Sequence, residues 1–264
     1  NTLTLQVGYA FSGAVGGGAG DTLALGGAST TSCPGATDGS FDVAAIGSTF
    51  EGFGRFAKTG PSTWTLTGNN TATLWSVESG TLRVNGSIGG ATASAGTLGG
   101  SGAAGAITLE AGGLVAPGNS PGTLHGTSLV WHGGGGMAFE LDASPAGSDL
   151  LQLAGTLGKG VGSGFVFHFS DGAAPPQAGT YPLITFASQS GFAASDFSYD
   201  YSGSAPALQG RFELKANELD FVVTSTISTP AAAATPIPTL GQALLGLLSA
   251  LLAAGAAWRL RRPS

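Results

Sequence analysis

The sequence predicts an all-β body of stacked short strands followed by one C-terminal transmembrane helix, and three observations carry that expectation. Apolar residues alternate with polar ones over short runs, as in Thr81–Val84 (TLRV), Ala106–Glu110 (AITLE) and Met137–Leu141 (MAFEL), which is the period of a half-buried strand. Gly, Pro, Asn or Asp stops each run, the punctuation of turns. Leu240–Trp258 is different: 19 uncharged residues that as a helix would reach about 28 Å, close to the thickness of a bilayer core.

Composition narrows the rest. Of 264 residues 47 are Gly and only 9% are charged, with a mean hydropathy of +0.26. The glycines lack the third-residue period of collagen, and so little charge is unlike a charged disordered chain. Repetitive β architectures tolerate this composition, because every turn needs backbone angles that glycine reaches readily. Net charge is -6, and Arg259, Arg261 and Arg262 supply three of the nine basic residues, leaving six against fifteen acidic ones. An acidic body with scattered single cations is a poor phosphate-binding surface, so no nucleic-acid partner is expected. The single cysteine, Cys33 in TTSCPG, excludes an intrachain disulfide and any multi-cysteine metal site. The opening NTLTL has neither Met nor a leader pattern and reads as a processed product or a fragment.

Thr2–Gly8 and Thr22–Leu25 read as the first strands, and residues 1–40 as an N-terminal β cap or incomplete rung. GAVGGGAGD between them is a turn, since one glycine–aspartate run without repeats cannot form a calcium-binding roll. FDVAAI, STWTLTG, TLWSV and TLRVNG continue the strands from Phe41. Phe50, Phe53 and Phe56, interrupted by glycines, form a packed turn or cap. The Gly-, Ala- and Ser-rich stretch Gly86–Gly105 is expected to protrude as a loop that adds little core. Pro117–Gly122 (PGNSPG) is a rigid corner, because two prolines cannot both occupy interior ladder positions. Met137–Leu141 places Phe139 and Leu141 on one face and Glu140 on the other. Further strands are expected at Leu150–Leu157, Val161–Phe169, Tyr181–Phe186, Arg211–Lys215 and Leu219–Ser225. The body thus spans 41–225, a Pro/Ala/Thr linker 226–238 and a terminal signal 239–262.

Chemistry-bearing residues are sparse. Glu140, Asp142 and Asp149 are the most concentrated carboxylates and the ones glycoside chemistry would need as a pair, but without a partner constellation they read as solvated turn residues. His125, His132 and His168 have no zinc-ligand spacing, and FVFHF sets His168 opposite its neighbouring phenylalanines. Ser120 in GNSPG lacks the nucleophile-elbow pattern, and there is no Walker loop or dinucleotide fingerprint. No catalytic residue, metal, cofactor or enzymatic activity is therefore expected.

Two resemblances follow from particular strings. FGRFAKTGPSTWTLTG…SGTLRVNG and GGLVAPGNSPGTL…MAFELD…SDLLQL resemble the passenger-associated β-strand repeats of autotransporter-type proteins, which implies a right-handed parallel β-helix or solenoid over 41–225. The likeness does not extend to that family's outer-membrane barrel, for which no series of alternating strands is present. Ile237, Pro238, Thr239 and Leu240, the apolar stretch, and Arg259, Arg261 and Arg262 resemble the bacterial IPTL-CTERM protein-sorting domain, although Gly241-Gln242-Ala243 departs from the aromatic-containing segment usual there. That resemblance implies a membrane sorting or processing enzyme of the exosortase type acting near Ile237–Leu240. The arginines would stay cytoplasmic and the body would be periplasmic during sorting, then at the outer membrane, the cell surface or outside the cell. The expected function is adhesion or structural surface interaction with a surface glycan, a protein or further copies of the chain. The alternative is a β-helix polysaccharide lyase or glycoside hydrolase delivered to the envelope.

Overall fold

The computed structural model describes residues 1–27, 38–204 and 207–227. Cys33 and the whole stretch from residue 228 onward, with the expected apolar helix, lie outside them. The described residues are strands and turns with three single-turn 3-10 segments, Val43–Ala45, Pro145–Gly147 and Ala194–Asp196.

Three consecutive coils show the building rule. Ala106–Leu109, Leu114–Pro117 and Thr123–Gly126 form one coil, Ser128–Trp131, Gly136–Leu141 and Leu150–Leu153 the next, and Thr156–Lys159, Phe165–Asp171 and Gly179–Thr185 the third. Each strand pairs in parallel with its counterpart a coil away, Ala106 opposite Ser128, Leu114 opposite Gly136 and Thr123 opposite Leu150. Repetition yields a first sheet of nine strands, from Thr2–Leu5 to Ser188–Ser190, and a second of eight, from Asp38–Asp42 to Phe197–Tyr201. A third sheet of five strands is foreshadowed in the earlier coils by single bridges, Ser87 to Ala103 and Ala103 to His125. This is a largely parallel β-solenoid. Thr2–Leu5 pairs in register with Thr22–Leu25, and Thr22–Leu25 in turn with Arg55–Lys58, as ordinary members of the first sheet.

Strand alternation turns this register into a core, because residues two apart face the same way. Trp75, Ala91, Ile107, Leu129 and Leu157 stack inward along the first sheet, and Leu82, Leu98, Val115, Met137 and Phe167 along the second. All are buried. Aromatic rings concentrate toward the two ends of the stack: Phe41, Phe50 and Trp75 in one group, Trp131, Phe165, Phe167 and Phe197 in the other. Between them the interior is aliphatic.

The expectation of a protruding loop at Gly86–Gly105 is overturned. Ser87–Ala93 and Thr97–Gly100 are strands of the first and second sheets, and Ile88, Ala91, Ala93, Leu98 and Ala104 are buried. Where Trp75 fills the coil below, alanine suffices above it, so the inward positions carry too little apolar bulk to show alternation. Glycine is also needed at this coil's corner, where a Cβ on Gly86 would run into the Gly68 carbonyl oxygen.

Two further features depart from a simple stack. Ala207–Leu214 and Glu218–Ile227 form an antiparallel hairpin, not parallel rungs, and the latter strand adds antiparallel to Gly179–Thr185. Phe212 and Phe221 of this hairpin pack on Phe167 and Phe169, so it covers aromatic core at one end and occupies an otherwise open sheet edge. The second is Lys58, which stands in the inward row between Leu25 and Val77 and is buried. Its Nζ donates to the carbonyls of Thr59, Gly60 and Ser79 at 2.8, 2.8 and 3.1 Å. Burial pushes the ammonium pKa down to about 8.

Trp131 and Val130 test the register. Trp131 is fully buried with Phe165 and Phe167 edge-on at 5.4 and 5.3 Å, whereas Val130 is 40% exposed on the opposite face. Trp131→Ala should cost about 3–5 kcal/mol in urea unfolding and Val130→Ala less than about 0.5 kcal/mol. A slip of one residue would reverse that order.

Candidate functional site

The outward face of the second sheet carries a groove of about 250 Å³ that crosses successive coils. Its floor is one outward row: Arg83, Gly99 and Ala116 follow one another in register, and the row continues through Ala138 to His168 and Asp200. With strands about 4.8 Å apart, Arg83 and Ala138 stand roughly 14 Å from one another along the stack. The floor is shallow in side chain because only Gly, Ala and Ala lie between Arg83 and His168. Thr81 and Thr97 border it on one side. On the other stands the Pro117–Gly122 corner, where the chain leaves the second sheet for the third.

That corner is held by polar contacts. Asn119 donates its amide to Asn85 Oδ1 at 2.9 Å and to Ser101 Oγ at 2.8 Å, tying three coils together. Ser120, with φ of 71° and a cis bond to Pro121, points its hydroxyl at Glu140 Oε2, 2.6 Å away. Beneath lies Asp149, 4% exposed, whose two oxygens accept the N–H groups of Gly122 and Glu140, each at 2.8 Å. Burial pushes its pKa up to about 6; the two backbone N–H donors oppose the rise and the neighbouring Glu140 charge adds to it. Asp149 is thus a staple between the corner and strand Gly136–Leu141 of the next coil.

The candidate carboxylates separate accordingly. Glu140 and Asp149 come together in the groove. Asp142 lies beyond the end of Gly136–Leu141, where its Oδ1 accepts the N–H groups of Ala143 and Ala174 at 2.8 and 2.9 Å. Ser120 belongs to the groove wall. The histidines stay apart: His125 is exposed on the third sheet, His132 Nδ1 accepts the Val161 N–H at 3.1 Å, and His168 pairs with Asp200 at 2.8 Å. His168 is exposed between buried Phe167 and Phe169, as the alternation of FVFHF requires. Among the described residues no group of three or more His, Cys, Asp or Glu could hold a metal ion. The sequence marks Asn119 only as part of the rigid Pro117–Gly122 corner and does not single out Arg83, because their roles depend on neighbours one or two coils away. The one available signal was the outward position of Arg83 in TLRV.

Ile237, Pro238, Thr239 and Leu240, and Arg259, Arg261 and Arg262, lie outside the described residues, as does the expected span Leu240–Trp258. Among the described residues no helix is long and apolar enough to cross a membrane. Body and terminus together define a β-rich envelope or surface protein with a C-terminal sorting motif. Residues 235–262 match the family of the IPTL-CTERM motif, a stretch that contains all seven of those residues. No curated protein matches the chain.

The staple gives a pH dependence of definite sign. Asp149 binds its proton more tightly in the native state, with a pKa of about 6, than at its ordinary value of 3.8. Its stabilising contribution is full below the ordinary value and lost as pH rises through about 6. Between pH 7 and pH 5 the native state should gain about 1 kcal/mol that Asp149→Asn does not. Urea titrations of both proteins at the two pH values measure this difference, and parallel pH responses would refute the assignment.

Proposed function

We propose that this chain is a surface-displayed β-solenoid that works by contact and not by turnover, and that its C-terminal signal is recognised and cut by a membrane processing enzyme of the exosortase type. The observation that carries the reading is the IPTL-CTERM match at 235–262, C-terminal in the chain to a largely parallel solenoid body whose last described residue is Ile227. A solenoid offers long outward rows on which weak contacts add up over area. Such a body needs delivery and display more than it needs an enclosed pocket.

The staple geometry supports contact over catalysis. A retaining or inverting glycosidase requires two carboxyl groups free to exchange protons with substrate and water. Both oxygens of Asp149 are occupied by backbone N–H groups, and Asp142 Oδ1 is engaged in the same way. Glu140 is left as the accessible carboxylate of the groove. Delivery follows from the terminal pattern: the apolar run would hold the precursor in the inner membrane, the arginines would keep its end cytoplasmic, and the body would face the periplasm. Cleavage near Ile237–Leu240 would then release the body outward.

Terminal-peptide mass spectrometry on precursor and surface fractions tests this reading. Wild-type protein from the surface should lack the apolar tail, while a variant with Pro238→Ala and Thr239→Ala should keep it and remain in the inner-membrane fraction. An intact tail on the surface-exposed wild type would leave permanent anchoring as the correct account.

A further inference from the structure

We propose that the groove on the second sheet is a binding site for a neutral, hydroxyl-rich glycan chain lying along the coil stack. This rests on the surface-contact reading above and names its partner and its place. The groove holds groups suited to hydroxyls and placed in sequence along its length. The Arg83 guanidinium stands at one end, exposed and without an ion-pair partner among the described residues. Thr81 and Thr97 supply hydroxyls from adjacent coils. Glu140 keeps one oxygen beyond the Ser120 bond, and Ser170 stands beside it one coil further on.

Each of these groups donates or accepts at a fixed level of the stack, and sugar hydroxyls do both. The floor allows close approach. Gly99 is buried at its centre, where a Cβ would lie 2.6 Å from the Ala116 carbonyl oxygen, and Ala116 and Ala138 extend the trough to either side of the next coils. At about 250 Å³ the space lies below the usual range for enclosed small-ligand cavities, which suits a chain that crosses an open groove.

Charge selects among glycans. Arg83 brings one guanidinium to a lining that also holds the carboxyl groups of Glu140 and, ionised above about pH 6, Asp149. Outside the terminal arginines the chain holds six basic residues against fifteen acidic. A polyanionic chain meets repulsion along this path. A neutral one meets only the hydrogen-bonding groups.

The test uses the full chain in detergent and isothermal titration with neutral gluco-, manno- and galacto-oligosaccharides, with polygalacturonate as the charged comparator. At least one neutral oligosaccharide should bind. Ala138→Leu, which fills the floor from outside the core, should weaken it by about tenfold or more, and Glu140→Gln should weaken it while leaving the thermal unfolding midpoint in place. Absence of binding by every neutral probe, an unchanged affinity in Ala138→Leu, or a preference for polygalacturonate would overturn the proposal. Shortening of a bound oligosaccharide by the wild type would overturn its binding-only character. Display of the same proteins on intact cells is scored separately. Wild type that reaches the surface but binds no glycan defeats the groove alone, and wild type that binds in detergent but never reaches the surface defeats the display reading alone.

Discussion

A coil of this protein can bury its inward row only against the coils before and after it, and every other property follows from that dependence. Backbone N–H and C=O groups of the parallel strands find their partners in the neighbouring coils. Inward side chains therefore stack in register, Leu82 on Leu98 on Val115, and outward ones form equally regular rows. The two ends of the stack lack one neighbour each. They are where the aromatic residues gather, and at one end the antiparallel hairpin through Phe212 and Phe221 supplies the missing layer.

How much of this was legible depended on how loudly each coil announced its alternation. TLRV, MAFEL and FVFHF mix bulky apolar and polar residues, and their in-and-out pattern could be read directly and is found in the burial of Leu82, Phe139 and Phe167. Ser87–Ala93 conceals the same pattern, because glycine and alanine serve both faces and the packing load is carried by Trp75 beneath. The direction of Ala207–Leu214 and Glu218–Ile227 was equally hidden, since alternation specifies a strand but not its orientation. The terminal signal was legible for the opposite reason. IPTL and the arginines are contiguous in the chain, so no fold is needed to assemble them.

The groove was the least legible feature. Its parts come from five coils, and none is unusual locally. Glu140 and Asp149 could be singled out as carboxylates, but the sequence holds no hint that one would be committed to two backbone N–H groups while the other stays half-exposed. The PGNSPG corner was recognisable as rigid. What rigidity is for emerges only with Asn85 and Ser101 placed under Asn119: the corner is a polar seam that fixes one wall of the groove.

Lys58 gives the stack a preferred plane of fracture. A solenoid opens by parting neighbouring coils. At the seam between the coils of Lys58 and Ser79, parting also returns a buried ammonium to water, which offsets part of the cost of opening. The native pKa of about 8 against an ordinary 10.5 means that this seam tightens as pH rises from about 8 toward 10.5 and the group sheds its charge. Mechanical load along the stack at neutral pH would thus find this joint weakened, immediately beside the Thr81 and Arg83 end of the groove.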